Sequence, residues 1–86
     1  MGPVEEQISK ILEEVGGLTT PAAQLGPDDD LFAAGLTSFA TVNVMLGIED
    51  AFDLEFPDRL LTRSSFRSIA ALAGAVREAQ STATAG

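Results

Sequence analysis

The 86-residue chain contains neither cysteine nor histidine, and this double absence narrows its folding options more than any residue it holds. No disulfide can staple it, and no Cys/His set can grip a structural zinc. A chain this short must then find its stability in well-packed helices. The composition permits that, because 45% of the residues are hydrophobic, too many for a chain disordered throughout. The length suits one small domain.

Apolar spacing places the helices. Val4, Ile8, Ile11, Leu12 and Val15 share one face of a first helix from about Val4 to Val15. Pro3 fits its entry, Glu5 and Glu6 favour its first turn, and Gly16-Gly17 ends it. Thr19, Thr20, Pro21, Gly26, Pro27 and Asp28-Asp29-Asp30 make residues 18–36 a long loop, with one short helical turn at 29–34 and Leu18, Leu25, Leu31 and Phe32 pinning it to the core. A second helix is predicted from Ser38 to Phe52, with Thr37 or Ser38 as N-cap and no capping box. Asp53 and Pro57 mark its exit loop. A short third helix covers Asp58 to Arg63. Ser64-Ser65 then breaks the chain and caps a fourth helix, Phe66 to Ala79, with Ile69, Leu72, Ala73 and Val76 as its apolar stripe. The expected fold is all-α: an antiparallel four-helix bundle with a short third helix and a long first loop, one domain over residues 1–79 followed by a disordered tail over 80–86.

The second helix carries two apolar stripes. At about 100° per residue, Val44, Met45, Ile48 and Phe52 gather on the side expected to face the core. Phe39, Val42 and Leu46 gather about 140° away. That second stripe either docks a partner or packs under the long loop. The small residues Gly47, Ala51, Ala70, Ala71 and Ala73 either leave room for a buried acyl chain or let helices pack closely.

A net charge of −8 argues against nucleic acid and anionic membranes and favours partners with basic docking patches. The apolar runs are too short to span a bilayer. Met1-Gly2-Pro3 starts no secretory signal, and Glu6 or Gln7 stands where N-myristoylation needs Ser or Thr. The lack of cysteine fits a cytoplasmic setting, and the chain is expected to be a monomer there.

Catalytic constellations are missing. Ser38 has no histidine base anywhere in the chain. Lys10, the only lysine, has Glu6 and Glu14 at i±4 and is expected to pair with them on the surface. Glu49 and Asp50 are helix neighbours whose side chains diverge. Asp28-Asp29-Asp30 lacks the alternating acids, central glycine and closing glutamate of an EF-hand. Neither a metal site nor an enzymatic activity is expected. Arg59, Arg63 and Arg67 are helix-spaced, but the Ser64-Ser65 break interrupts that face, and they are assigned to offsetting the acidic exit loop.

Ser38 remains. A hydroxyl at the start of a helix sits where backbone N–H groups and the helix dipole stabilise a phosphate, although a plain N-cap is the commoner job there. Its neighbours carry more information. Asp30-Leu31-Phe32-x-x-Gly35-Leu36-x-Ser38 resembles the signature of acyl and peptidyl carrier proteins, and the resemblance runs on through Val42, Val44, Ile48-Glu49 and Phe52-Asp53-Leu54-Glu55-Phe56-Pro57-Asp58. It loosens past Asp58, then returns from Phe66 to Val76 in what resembles the family's closing helix.

The resemblance implies that Ser38 bears 4′-phosphopantetheine, a flexible arm ending in a thiol, installed from coenzyme A by a phosphopantetheinyl transferase. It implies cargo held as a thioester and presented to an acyl- or aminoacyl-activating ligase and to downstream transferases. The carrier itself contributes solubility, docking and effective concentration. Two departures bear on cargo. Thr37 stands where the family usually has Asp, and Ala40 and Asn43 occupy positions that are commonly acidic in fatty-acid carriers. With only Glu49 and Asp50 left on that helix, docking is expected to involve Thr37, Phe39, Val42, Leu46, Glu49 and Asp50 and to lean on the apolar stripe. A discrete carrier of an amino acid or a specialised acyl group is the first expectation. A fatty-acid or polyketide carrier, and an unmodified helical interaction module in which Ser38 is only a cap, are the alternatives.

Overall fold

The computed structural model describes the backbone of residues 2–85 and the side chains of residues 2–81. Every regular element among them is helical: α1 (Pro3–Val15), α2 (Ser38–Phe52) and α3 (Ile69–Ala85), with single 3₁₀ turns at Ala22–Gln24 and Asp58–Leu60. No helix among the described residues is long and apolar enough to cross a membrane. No group of three or more His, Cys, Asp or Glu side chains among them is placed to hold a metal ion.

Each helix starts and stops where local chemistry dictates. α1 opens with Pro3 in its first turn and Glu5 and Glu6 behind it, where proline costs no hydrogen bond and carboxylates meet the positive helix end. α2 is capped by Thr37, whose Oγ1 accepts the Ala40 N–H at 3.0 Å. It ends at Asp53, a left-handed residue at φ +52° that turns the chain out of the helix. α3 is capped by Ser68, whose Oγ accepts the Ala71 N–H at 3.0 Å.

The core is built from all three helices and the long loop. Ile8, Leu12, Leu31, Val44, Ile48, Ile69, Leu72 and Val76 are fully buried, each contributing about 1.5–3 kcal/mol relative to exposure. α1 packs against both α2 and α3. The α1–α2 approach is close at Gly47, where an added Cβ would lie 2.9 Å from Ile11 Cγ2. The small residue there serves tight packing and opens no cavity. Arg77 of α3 donates to Glu5 of α1 at 3.0 Å across the outer edge of that packing.

Several expectations are revised. The third helix predicted over Asp58–Arg63 is one 3₁₀ turn at Asp58–Leu60, followed by turns. Leu60 within that turn and Phe66 beyond it are both buried, reaching the core from turns. The closing helix begins at Ile69 on the Ser68 cap, not on Ser64-Ser65. Ser65 is held in a tight turn by its N–H bonding to Thr62 O. The backbone of that helix runs on through Ala85; Gly86 lies outside the described residues. Among the described side chains Ala79 is the last buried one, with Gln80 and Ser81 exposed. Val15, placed on the core stripe of the first helix, is 38% exposed, because the helix ends there before its last turn is covered. Lys10 makes no ion pair with Glu6 or Glu14 among the described residues.

Candidate functional site

The loop before α2 is fastened residue by residue, and its fastening sets the position of Ser38. Asp30 Oδ1 accepts the N–H groups of Phe32 at 2.9 Å and Ala33 at 3.4 Å, opening a turn that buries Leu31 completely. The Leu31 N–H donates to Arg67 O at 2.8 Å, tying the turn to the segment ahead of α3. Leu36 returns its N–H to Leu31 O at 3.0 Å and is itself buried. Between them Gly35 adopts φ +110° and passes so near Thr19 that a Cβ would lie 2.7 Å from the Thr19 nitrogen. Only glycine satisfies both the angle and the approach. Thr19 is in turn locked to Ala34 O by its N–H at 2.8 Å and its Oγ1 at 2.9 Å. The Asp-Leu-Phe-x-x-Gly-Leu pattern thus has a mechanical meaning: it delivers the chain, in fixed register, to the start of α2.

Thr37 takes the cap, which settles the choice the sequence left between Thr37 and Ser38 and releases Ser38 from that duty. Ser38 is the first residue of α2 and is exposed. Its hydroxyl has no hydrogen-bond partner among the described residues. The N–H groups of Ser38 and Phe39 belong to the first turn, which has no intrahelical acceptors for them. An anion attached to Ser38 would meet those donors and the positive helix end. The hydroxyl opens on a groove of about 420 Å³ lined by Phe32, Thr41, Val42, Met45, Leu61, Thr62, Arg63 and Phe66. That lining holds one cation and no carboxylate. An exposed, unbonded serine oxygen beside an apolar groove with a lone positive charge fits a long arm joined through a phosphodiester.

The remaining expected site residues divide. Phe39 is 84% exposed, Val42 52% and Leu46 53%, while Val44 and Ile48 on the opposite side are fully buried. The second stripe of α2 therefore lies on the surface and not under the loop. Ala40 is buried and Asn43 is exposed, so Ala40 presents no docking face at all. Asp50 is exposed, but Glu49 is half-buried and its Oε2 accepts the Phe56 N–H at 2.9 Å, fixing the exit loop. One of its two carboxylate oxygens is engaged by the fold. The pairing of two groove residues carries no sequence signal: the Arg63 guanidinium sits 3.8 Å over the Phe32 ring, a contact between distant segments that no local pattern announces.

A family model described as "Phosphopantetheine attachment site" matches residues 6–76. The chain is 54% identical over 70 residues to an aminoacyl carrier protein of Agrobacterium fabrum, covering 81% of this chain and 84% of that protein. It superposes with a TM-score of 0.84 and 51% identity on a chain from the crystal structure of an engineered Bradyrhizobium japonicum glycine:[carrier protein] ligase complexed with a carrier protein from Agrobacterium tumefaciens and ATP, covering 87% of this chain and 97% of that one. A chain from the Bradyrhizobium japonicum ligase complexed with glycylated carrier protein gives a TM-score of 0.67 at 33% identity, covering 84% of this chain and 97% of that one. With its matched region spanning the groove, the capped start of α2 and most of the core, this chain belongs to the family of phosphopantetheine-bearing carrier proteins.

Proposed function

We propose that this protein is an aminoacyl carrier whose 4′-phosphopantetheine arm is attached to Ser38. When bound, the arm supplies a thiol on which an amino acid is held as a thioester. The observation that carries this reading is the exposed, unbonded Ser38 hydroxyl at the start of α2, next to the exposed Phe39, Val42 and Leu46, on a fold shared with carriers crystallised alongside a glycine ligase. Thr37 holds the helix start rigid, Gly35 and Thr19 fix the approach of the loop, and the apolar face of α2 docks an ATP-dependent amino acid:carrier ligase and then the transferases that take the cargo. The working unit is residues 1–79, a reading supported by Ala79 being the last buried residue among the described side chains. The 58–67 segment serves as the counterpart of a short third helix, supported by its 3₁₀ turn and by the i→i+3 bonds Ser65 N to Thr62 O, Phe66 N to Arg63 O and Arg67 N to Ser64 O.

The chain itself performs no bond chemistry: Ser38 bonds to no base among the described residues, and the chain holds no histidine. A net charge of −8 keeps it away from nucleic acid and anionic lipid and suits a cytoplasmic monomer that meets basic enzyme surfaces. The close packing at Gly47 favours a small cargo held outside over a long acyl chain sequestered within. The test is loading. Arm-bearing protein, ATP and a panel of single amino acids are incubated with a glycine:carrier ligase, and intact mass is read before and after hydroxylamine, which cleaves thioesters. Glycine or another small amino acid is expected to add and then be released, and only when Ser38 is present. Loading by acyl groups alone, with every amino acid refused by amino acid:carrier ligases, would contradict the aminoacyl assignment.

A further inference from the structure

The four arginines of this acidic chain are not equivalent. Arg59 pairs with Glu78 at 2.9 Å and Arg77 with Glu5 at 3.0 Å. Neither Arg63 nor Arg67 has a carboxylate within 4.0 Å among the described residues. Of these two, only Arg63 lines the groove that contains Ser38. Arg67 lines a separate depression of about 280 Å³, whose wall Arg63 shares with Asp30, Phe32 and Ser64. Arg63 is held in place without an ion pair: its guanidinium lies 3.8 Å over the Phe32 ring, and the Phe32 N–H is anchored to Asp30 Oδ1.

We propose that Arg63 is a positioning residue for the arm: its guanidinium pairs with the phosphodiester at Ser38 and holds the root of the arm against the groove. The proposal rests on the assignment of Ser38 above. A guanidinium stacked on a ring keeps donors along its edge for an anion, and its planar fork matches phosphate oxygens. The Phe32 stack limits the rotamers of a long side chain, so less freedom is lost when the anion arrives. Charge supplies the drive. A phosphodiester adds one more negative charge to a chain already at −8, and among the described residues Arg63 is the one charged group lining that groove. The Asp30 oxygen that bonds the backbone already serves two N–H donors, Phe32 and Ala33. The paired phosphodiester fixes where the arm begins, and the thiol end is left free to travel.

The test compares wild type with Arg63→Gln, Arg63→Lys and Arg67→Gln, each first loaded by a phosphopantetheinyl transferase and coenzyme A and confirmed by intact mass. The ³¹P resonance of the phosphodiester is then recorded between about 0.01 M and about 1 M salt, over which the screening length falls from roughly 30 Å to roughly 3 Å. At low salt the wild-type resonance is expected to be displaced from that of Arg63→Gln and to move toward it as salt rises. Arg63→Lys should keep part of the displacement, and Arg67→Gln should superpose on wild type. A wild-type resonance indifferent to salt, or one that Arg63→Gln leaves in place, overturns the proposal, as does an equal shift from Arg67→Gln. The wild-type salt series needs no variant to fold. If mass shows no arm on Ser38, the attachment assignment fails first and this inference falls with it; an arm present on Ser38 with an unmoved ³¹P signal defeats this inference alone.

Discussion

Replacing Gly35 with alanine should disable the device that places Ser38, and the structure sets the size of the effect. The new Cβ would sit at φ +110°, 2.7 Å from Thr19 N, 3.0 Å from Thr19 Oγ1 and 3.2 Å from Thr19 Cγ2. A backbone angle that L-residues avoid costs about 1–3 kcal/mol, and forcing atoms into a packed site costs about 1–3 kcal/mol more. Thr19 cannot simply step aside, because its N–H and Oγ1 both bond to Ala34 O. A loss of about 3 kcal/mol follows, against a total stability for a domain of this size of about 4–13 kcal/mol. In a domain of this length that loss lowers Tm by about 12–24 °C. Gly26→Ala is the matched control: its Cβ would lie 3.6 Å from Asp29 Oδ2, an ordinary contact, and its φ is not positive. The assay is circular-dichroism melting and urea denaturation of both variants beside wild type. If Gly35→Ala melts within a few degrees of Gly26→Ala, neither angle nor approach requires glycine at position 35.

Three further outcomes are expected. Glu49→Ala should cost about 1–3 kcal/mol by stranding the half-buried Phe56 N–H, with Glu49→Gln costing less because its amide oxygen still accepts; equal losses in urea denaturation would assign the effect to something other than that bond. The Glu5 carboxyl is held below its usual value of 4.5, first by the N–H of its own residue and then by Arg77, although its Oε1 is buried without a well-aligned donor. A lowered folded-state value means the stabilisation is complete above pH 4.5 and disappears as pH falls through that lowered value, so the Tm gap between wild type and Glu5→Gln should close on acidification; a gap constant from neutral to acid pH would contradict the assignment. Joint alanine substitution of Phe39, Val42 and Leu46, all more than half exposed, should leave the melting curve nearly unchanged but weaken ligase binding by about 2 kcal/mol or more, roughly thirtyfold, and unchanged affinity by calorimetry would remove that face from the docking surface.

Much of this molecule is written locally in its sequence. α2 spans Ser38–Phe52 as predicted, because a threonine cap, an apolar core stripe and a breaker at Asp53 all act within a few residues of the backbone they shape. The exposure of Phe39, Val42 and Leu46 could be posed from the helical wheel but not resolved there, since a stripe looks the same whether a loop covers it or water does. The 58–68 segment was least legible. Its apolar Leu60 and Phe66 have helical spacing only loosely, yet both are buried, and the long loop reaches the end of the segment through Leu31 N to Arg67 O. Ser64 and Ser65 looked like a cap because serine commonly is one; Ser68 takes the role because its Oγ faces the Ala71 N–H. The Glu49–Phe56 bond depends on how the exit loop folds back, which no local pattern fixes. The Arg63–Phe32 stack joins segments that meet only in the folded chain.

The most direct test is the intact mass of the protein after incubation with coenzyme A, magnesium and a broad-specificity phosphopantetheinyl transferase, with Ser38→Ala alongside. One phosphopantetheinyl group should add to the wild type and none to the variant. A folded wild type that gains no mass, or a Ser38→Ala protein that gains the same mass, would contradict the assignment of Ser38 as the point of attachment.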